Sequence, residues 1–268
     1  MYRKYIITLV AITLVLICTS PVLAITYGEP DGNGHPYVGL ALFYDESGNY
    51  LWRCSGTLLS STVFLTAGHC TQGTASATVL FDSDLTKLQY PYLDCSPYSC
   101  VEGTPHTHPN YDDYATFPNT SDVGVVILDR QVIINKYGTL PKLGILDELA
   151  TRRGHHDLII RSVGYGMQSV KPISESNQIR YTSTSMLINL RSHLTDGYNL
   201  QTSNNPGQGH GTGGSCFGDS GGPIFYPQGS NVVVAVVSFG LNNNCKGADF
   251  GYRTDITNAQ DFINMFLP

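Results

Sequence analysis

The chain has 268 residues, 15 Lys and Arg against 21 Asp and Glu, and a formal net charge of −6. No basic stripe or Lys/Arg cluster stands out in it, which argues against a phosphate-binding surface and against a nucleic-acid partner. The length suits one all-β domain or two small packed barrels and is ample for a core without covalent staples.

At the N-terminus Arg3 and Lys4 precede an apolar run from Ile6 to Ile17, and Val22-Leu23-Ala24 suits a cleavage site. Residues 1–24 therefore read as a secretory signal, and residues 25–268 as the exported domain. An uncut membrane anchor needs a longer apolar run, and a lipid on Cys18 is disfavoured by bulky Ile17 before it. Cleavage after Ala24 removes 24 residues and two cations, leaving 244 residues with net charge −8 and six of the seven cysteines. An even cysteine count in an exported chain points to disulfides, although composition cannot choose the pairing.

Beyond the signal, short β-branched runs recur at Ser61–Thr66, Ala77–Phe81, Val123–Leu128, Leu158–Val163 and Asn231–Phe239. Clusters of Gly, Pro, Asn and Asp bound them, the punctuation of an all-β sandwich or barrel. The polar stretch Asn199–Gly214 reads as a surface loop. Only the tail changes period: Ile256, Ala259 or Phe262, Ile263 and Phe266 fall at helical spacing, with Thr257 or Asn258 available as a cap.

Chemistry concentrates in Gly218-Asp219-Ser220-Gly221-Gly222-Pro223. Glycines around a serine let the backbone turn sharply and bring N–H groups to a bound carbonyl. The serine itself needs a base, a group that orients the base, and oxyanion donors. Gly218 to Gly222 also satisfy the nucleophile elbow of α/β hydrolases, but that fold places its histidine after the serine. Here the last histidine is His210, so that reading fails. Upstream, Leu65-Thr66-Ala67-Gly68-His69-Cys70 follows a strand-like run, and Asp122 opens the apolar run Val123–Leu128.

Taken in order, the histidine block, the acid block and GDSGGP resemble the chymotrypsin/trypsin family of serine proteases, from Ile25 to the tail. One departure is Gly68, where the family usually carries Ala. The resemblance implies two packed six-stranded antiparallel β-barrels with a short C-terminal helix. It also implies a secreted serine endopeptidase working through an acyl-enzyme, with Ser220 as nucleophile, His69 as base and then acid, and Asp122 holding the histidine tautomer. Asp112 and Asp113 are alternative acids, but neither has an apolar strand directly after it. Gly218 and Ser220 would supply the oxyanion N–H groups. Bridges Cys54–Cys70 and Cys216–Cys245 match the family, leaving Cys95 and Cys100 to bridge locally.

The same resemblance makes Ile25 a new N-terminus whose ammonium pairs with Asp219. Signal cleavage after Ala24 would create that terminus with no separate zymogen. The specificity pocket would have Gly214 at its base, with Ser215, Ser238, Phe239 and Gly240 as walls. A glycine at the base argues against simple trypsin-like preference. Aligning Tyr252 with the family tyrosine puts Phe250 in the pocket and favours small or medium apolar side chains, whereas a shift of one or two residues brings Asp249 there and restores basic preference. The partners implied are a protein or peptide substrate and proteinaceous inhibitors, for a monomer with no membrane contact after signal removal and no cofactor. Two rival functions are an inactive binding homologue and a metal-dependent hydrolase using His106 and His108 or His155 and His156. Those histidines lie in no recognised ligand pattern, and Asp82 with Asp84 are too few for a calcium site.

Overall fold

Where the sequence is apolar and β-branched the chain pairs into strands, in a computed structural model that describes residues 24–87, 100–149, 158–176, 178–205 and 211–268. Residues 1–23, Cys95, His155 and His156 lie outside the described residues. The first half contributes β1 (Glu29–Pro30), β2 (Val38–Tyr44), β3 (Tyr50–Leu58), β4 (Val63–Thr66), α1 (Gly68–Thr71), β5 (Ser76–Leu80), β6 (Cys100–Thr107) and β7 (Gly124–Leu128). The second contributes α2 (Ile145–Leu149), β8 (Ile159–Gly164), β9 (Tyr181–Asn189), β10 (Asn199–Asn204), β11 (Pro223–Phe225), β12 (Val233–Gly240), β13 (Gly247–Arg253) and α3 (Thr257–Asn264).

Strands β2-β3-β4-β7-β6-β5 close into one antiparallel barrel. In the other half the order is β9-β10-β13-β12-β11-β8, closed by pairing of β8 with β9, and β1 adds to the edge at β9. The fold is thus two closed six-stranded barrels with a short C-terminal helix. Closure pairs each barrel strand on both sides, and each barrel fills with its own inward-facing residues. Leu40, Leu42, Phe64, Leu65, Val79 and Val125 are fully buried in the first, and Ile160, Leu200, Ile224 and Val234 in the second. Each such side chain contributes about 1.5–3 kcal/mol.

Two expectations are corrected. The segment from Asn199 is not loop throughout: Asn199–Asn204 is β10, paired with β13 along its whole length. Barrel closure needs a strand between β9 and β13, and its polar side chains are buried because they have partners. Asn204 Nδ2 donates to the carbonyls of Ser215 (3.1 Å) and Cys245 (2.9 Å), and Thr26 Oγ1 donates to Asn204 Oδ1 (2.8 Å). The helix cap is Ile256, with no side-chain bond. Asn258 instead spends its amide on Ser121 Oγ and Tyr252 Oη, while Ala259, Phe262 and Ile263 bury the expected face.

Between the barrels Arg180 is wholly buried. Its guanidinium donates to Asp31 Oδ2 (2.9 Å), to the carbonyls of Val38 and Phe81 in the first barrel, and to Tyr165 Oη in the second. Such a charge is tolerable inside because each guanidinium nitrogen finds an acceptor, Nη2 at the Gly32 carbonyl (3.0 Å). No helix among the described residues is long and apolar enough to cross a membrane.

Candidate active site

Antiparallel pairing of β4 with β7 sets Thr66 opposite Gly124, so the residues just after β4 and just before β7 lie at the same end of the first barrel. Those residues are His69, in the single turn α1, and Asp122. His69 Nδ1 lies 2.9 Å from Asp122 Oδ2, and the His69 backbone N–H donates to Asp122 Oδ1 at 2.8 Å. Because the carboxylate accepts at Nδ1, that nitrogen carries the proton and Nε2 is left as the basic one. Asp122 is 0% exposed and also accepts from Ser238 Oγ (2.5 Å) and Tyr114 Oη (3.1 Å). Burial alone would raise its pKa, but His69 and Ser238 outweigh this and hold it below the ordinary carboxylate value. For His69 burial disfavours the cation, yet the Asp122 charge and hydrogen bond, helped by Asp113, raise its pKa above 6.5.

Ser220 comes from the second barrel, just before β11, and is fastened to the first. The Ser55 N–H donates to the Ser220 carbonyl (2.8 Å), while Ser55 Oγ donates to the Gly218 carbonyl (2.9 Å). Ser220 and His69 line one cleft of about 490 Å³ together with Trp52, Met167 and Phe217. No hydrogen bond joins Ser220 Oγ to His69 among the described residues; what they share is the cleft. Gly218 has φ +95°, a conformation only glycine adopts without strain. The Phe217 carbonyl accepts from Met167 N–H (2.8 Å), so the trans peptide directs the Gly218 N–H to its opposite side. Among the described residues neither the Gly218 N–H nor the Ser220 N–H has an acceptor. Two unspent donors thus flank the serine.

On its other side Ser220 borders a cavity of about 240 Å³ lined by Ser215, Val237, Ser238, Phe239, Gly240 and Asp249, among others. Pairing of β12 with β13 sets Asp249 opposite Gly240. Asp249 Oδ2 accepts from the Ser215 N–H (2.6 Å) and from Asn204 Nδ2 (3.0 Å), yet burial pushes its pKa up to about 6. Phe250 does not line the cavity; it is fully buried with its ring stacked on Phe239, centroids 4.6 Å apart. Gly214 lies behind the floor and does not line it. A β-carbon there would come within 2.3 Å of Asn204 Cγ and 2.4 Å of Asp249 Oδ2, so these two side chains occupy the room that a side chain at 214 would need.

The family model described as Trypsin matches residues 29–263. This chain belongs to the trypsin family. It is a serine endopeptidase acting on peptide or protein substrates. It is 27% identical to "Serine protease 1" of Drosophila melanogaster over 241 residues, which span 89% of this chain and 84% of that one. It is 24% identical to "Brachyurin" of Leptuca pugilator over 230 residues, 84% of this chain and 88% of the relative. Its fold is similar to that of HL collagenase, with a TM-score of 0.67 at 18% identity over 91% of this chain and all of that one. Human heparin binding protein superposes with a TM-score of 0.63 at 19% identity, over 90% and 96% of the two chains.

Further expected features of a trypsin-family chain fall into place unevenly. Disulfides join Cys54 to Cys70 and Cys216 to Cys245, the first pinning α1 to β3 beside His69 and the second bracing the Ser220 loop. Cys100 is disulfide-bonded, and its expected partner Cys95 lies outside the described residues. Ile25 is buried against Tyr181 and Ile179. In the uncut chain its nitrogen belongs to the peptide bond from Ala24, and Asp219 accepts instead from the N–H groups of Gly166 (2.8 Å) and Cys216 (2.9 Å). Burial, with Asp249 adding to it, raises the Asp219 pKa to about 7. His106 and His108 pack against Phe266 and Phe262, and His108 Nε2 lies 3.2 Å from the Asn258 carbonyl. Asp113 reaches His69 only through its charge. Sequence reasoning missed Tyr114, for which an aromatic eight residues before the acid offered no signal.

Proposed function

We propose that the chain is a secreted endopeptidase that cleaves through an acyl-enzyme, with His69, Asp122 and Ser220 as its catalytic triad. The observation that carries this reading is the His69 imidazole held at 2.9 Å by the buried Asp122, sharing a cleft with Ser220 and two unspent N–H donors. Ser220 Oγ attacks the scissile carbonyl as His69 Nε2 takes its proton. Asp122 keeps the proton on Nδ1 and stabilises the imidazolium that forms. The carbonyl oxygen, now negative, is met by the Gly218 and Ser220 N–H groups; one such donor contributes about 2.7–4 kcal/mol. His69 then protonates the leaving amine, and water repeats the sequence to release the acid.

The side chain preceding the scissile bond enters the 240 Å³ cavity and faces Asp249. In this reading the acid absent at position 214 is replaced by one on β13, so Lys and Arg are preferred while Asp249 is ionised and apolar residues gain below pH 6. Ser238, Phe239 and Gly240 pair with the extended substrate as an added strand. Signal cleavage after Ala24 frees the Ile25 ammonium to pair with Asp219 and shape the oxyanion loop. Export is consistent with the disulfides.

The test is mass spectrometry after a serine-directed fluorophosphonate, with Ser220→Ala as control. Modification confined to Ser220 and absent from the variant is expected. A folded protein beginning at Ile25 that stays unmodified would return the chain to the binding-homologue reading.

A further inference from the structure

Between β6 and β7 the backbone takes two successive left-handed residues that are not glycine, Asp113 (φ 54°) and Tyr114 (φ 67°). Side chains with a β-carbon avoid this region, and where two adopt it together the surrounding structure must impose it. The result is that the Tyr114 ring stands between His69 and the Ser238-Phe239 strand. Its centroid is 5.9 Å from that of Phe239 in an edge-to-face contact, and its hydroxyl donates to Asp122 Oδ2 at 3.1 Å. The same hydroxyl is 3.5 Å from His69 Nδ1 and from Ser238 Oγ. Burial and the Asp122 charge push the phenol pKa far up, so it remains a donor throughout the working pH range.

We infer that Tyr114 is a positioning residue for the hydrolysis, supplying the Asp122 carboxylate with a third side-chain donor besides His69 and Ser238. This rests on the reading of Asp122 as the triad acid. With the His69 backbone N–H, four donors share two oxygens, so the carboxylate cannot rotate without breaking one, and the imidazole is aimed accordingly. The phenol also competes with the imidazolium for the carboxylate's charge. Its bond is strongest when His69 is neutral, so it opposes protonation of His69 and keeps the base available at lower pH.

The experiment is Tyr114→Phe, which keeps the ring contacts and removes only the hydroxyl, compared with Thr116→Ala, which alters the same loop without touching Asp122. The pH dependence of Ser220 labelling by fluorophosphonate is measured beside kcat and KM on a peptide amide. For Tyr114→Phe we expect kcat to fall about fivefold with KM unchanged, and the acid limb to move up by a few tenths of a pH unit. Thr116→Ala is expected to leave both where they were. Wild-type kcat and acid limb in Tyr114→Phe, or equal shifts in Thr116→Ala, would overturn the inference alone. Absence of Ser220 labelling in the unaltered protein would overturn the triad reading and the inference with it.

Discussion

Asp249→Asn separates what the floor acid does for binding from what it does to the fold, because the two effects have opposite signs. Asp249 is 8% exposed and its pKa is raised from 3.8 to about 6 by burial. The folded carboxyl therefore holds its proton more tightly than the unfolded one, and stability falls as pH rises from about 4 through about 6 and stays lower above. At pH 8 the deficit is roughly 3 kcal/mol. Asn cannot ionise, so the variant recovers it, less about 1–2 kcal/mol for an amide that faces Asn204 Nδ2 with a donor in place of one oxygen. A net gain of about 1–2 kcal/mol at pH 8 follows, a rise of roughly 2–8 °C in Tm for a chain of this length. For substrates with Arg or Lys before the scissile bond the lost charge lowers kcat/KM about 100-fold, while Leu and Phe substrates keep their rates. Paired substrates differing only at that residue, with thermal melts at pH 5 and pH 8, measure both arms. A variant that still prefers Arg, or that loses stability at pH 8, refutes the assignment of the charge to the pocket floor.

Asp219, with its pKa raised to about 7, makes the same kind of prediction for the N-terminus. Protein carrying extra residues before Ile25 should lose stability by about 4 kcal/mol between pH 4 and pH 8, whereas protein beginning at Ile25 should be nearly flat because the ammonium favours the ionised acid. Urea titrations of both forms check this, and equal slopes would remove the ion pair from the scheme. Arg180→Met should cost about 3–5 kcal/mol at pH 7 by leaving Asp31 buried without its guanidinium partner. Burial opposes ionisation of Asp31, but His35 and Arg180 hold its pKa below 3.8, so its stabilisation is present above about pH 4 and lost as pH falls through the folded value. The difference between Arg180→Met and the parent should therefore narrow below pH 4; a constant difference from pH 7 to pH 3 contradicts the pairing.

The parts of this molecule that were legible in the sequence are those governed by local chemistry. Within Ser61–Thr66 and Val123–Leu128, Val63–Thr66 and Gly124–Leu128 are strands because β-branched side chains suit a buried pleat, and their pairing is what makes His69 and Asp122 neighbours 53 residues apart in sequence. β10 was not legible, since its polar residues are buried by partners supplied from Thr26, Ser215 and Asp249, none of them local. The pocket floor was ambiguous for a sharper reason. Between Val237 and Phe239 the register of β12 against β13 shifts, and a one-residue slip exchanges Asp249 for Phe250. No periodicity announces such a bulge, and the alignment through Tyr252 passes directly over it. The space beside Gly214 is taken by Asn204 together with the acid on β13, and both fit there because position 214 has no β-carbon. The missing acid at 214 and the acid present at 249 are thus one feature seen from a loop and from a strand, and introducing Asp at 214 without removing Asp249 would crowd a second carboxylate against both Asn204 and Asp249.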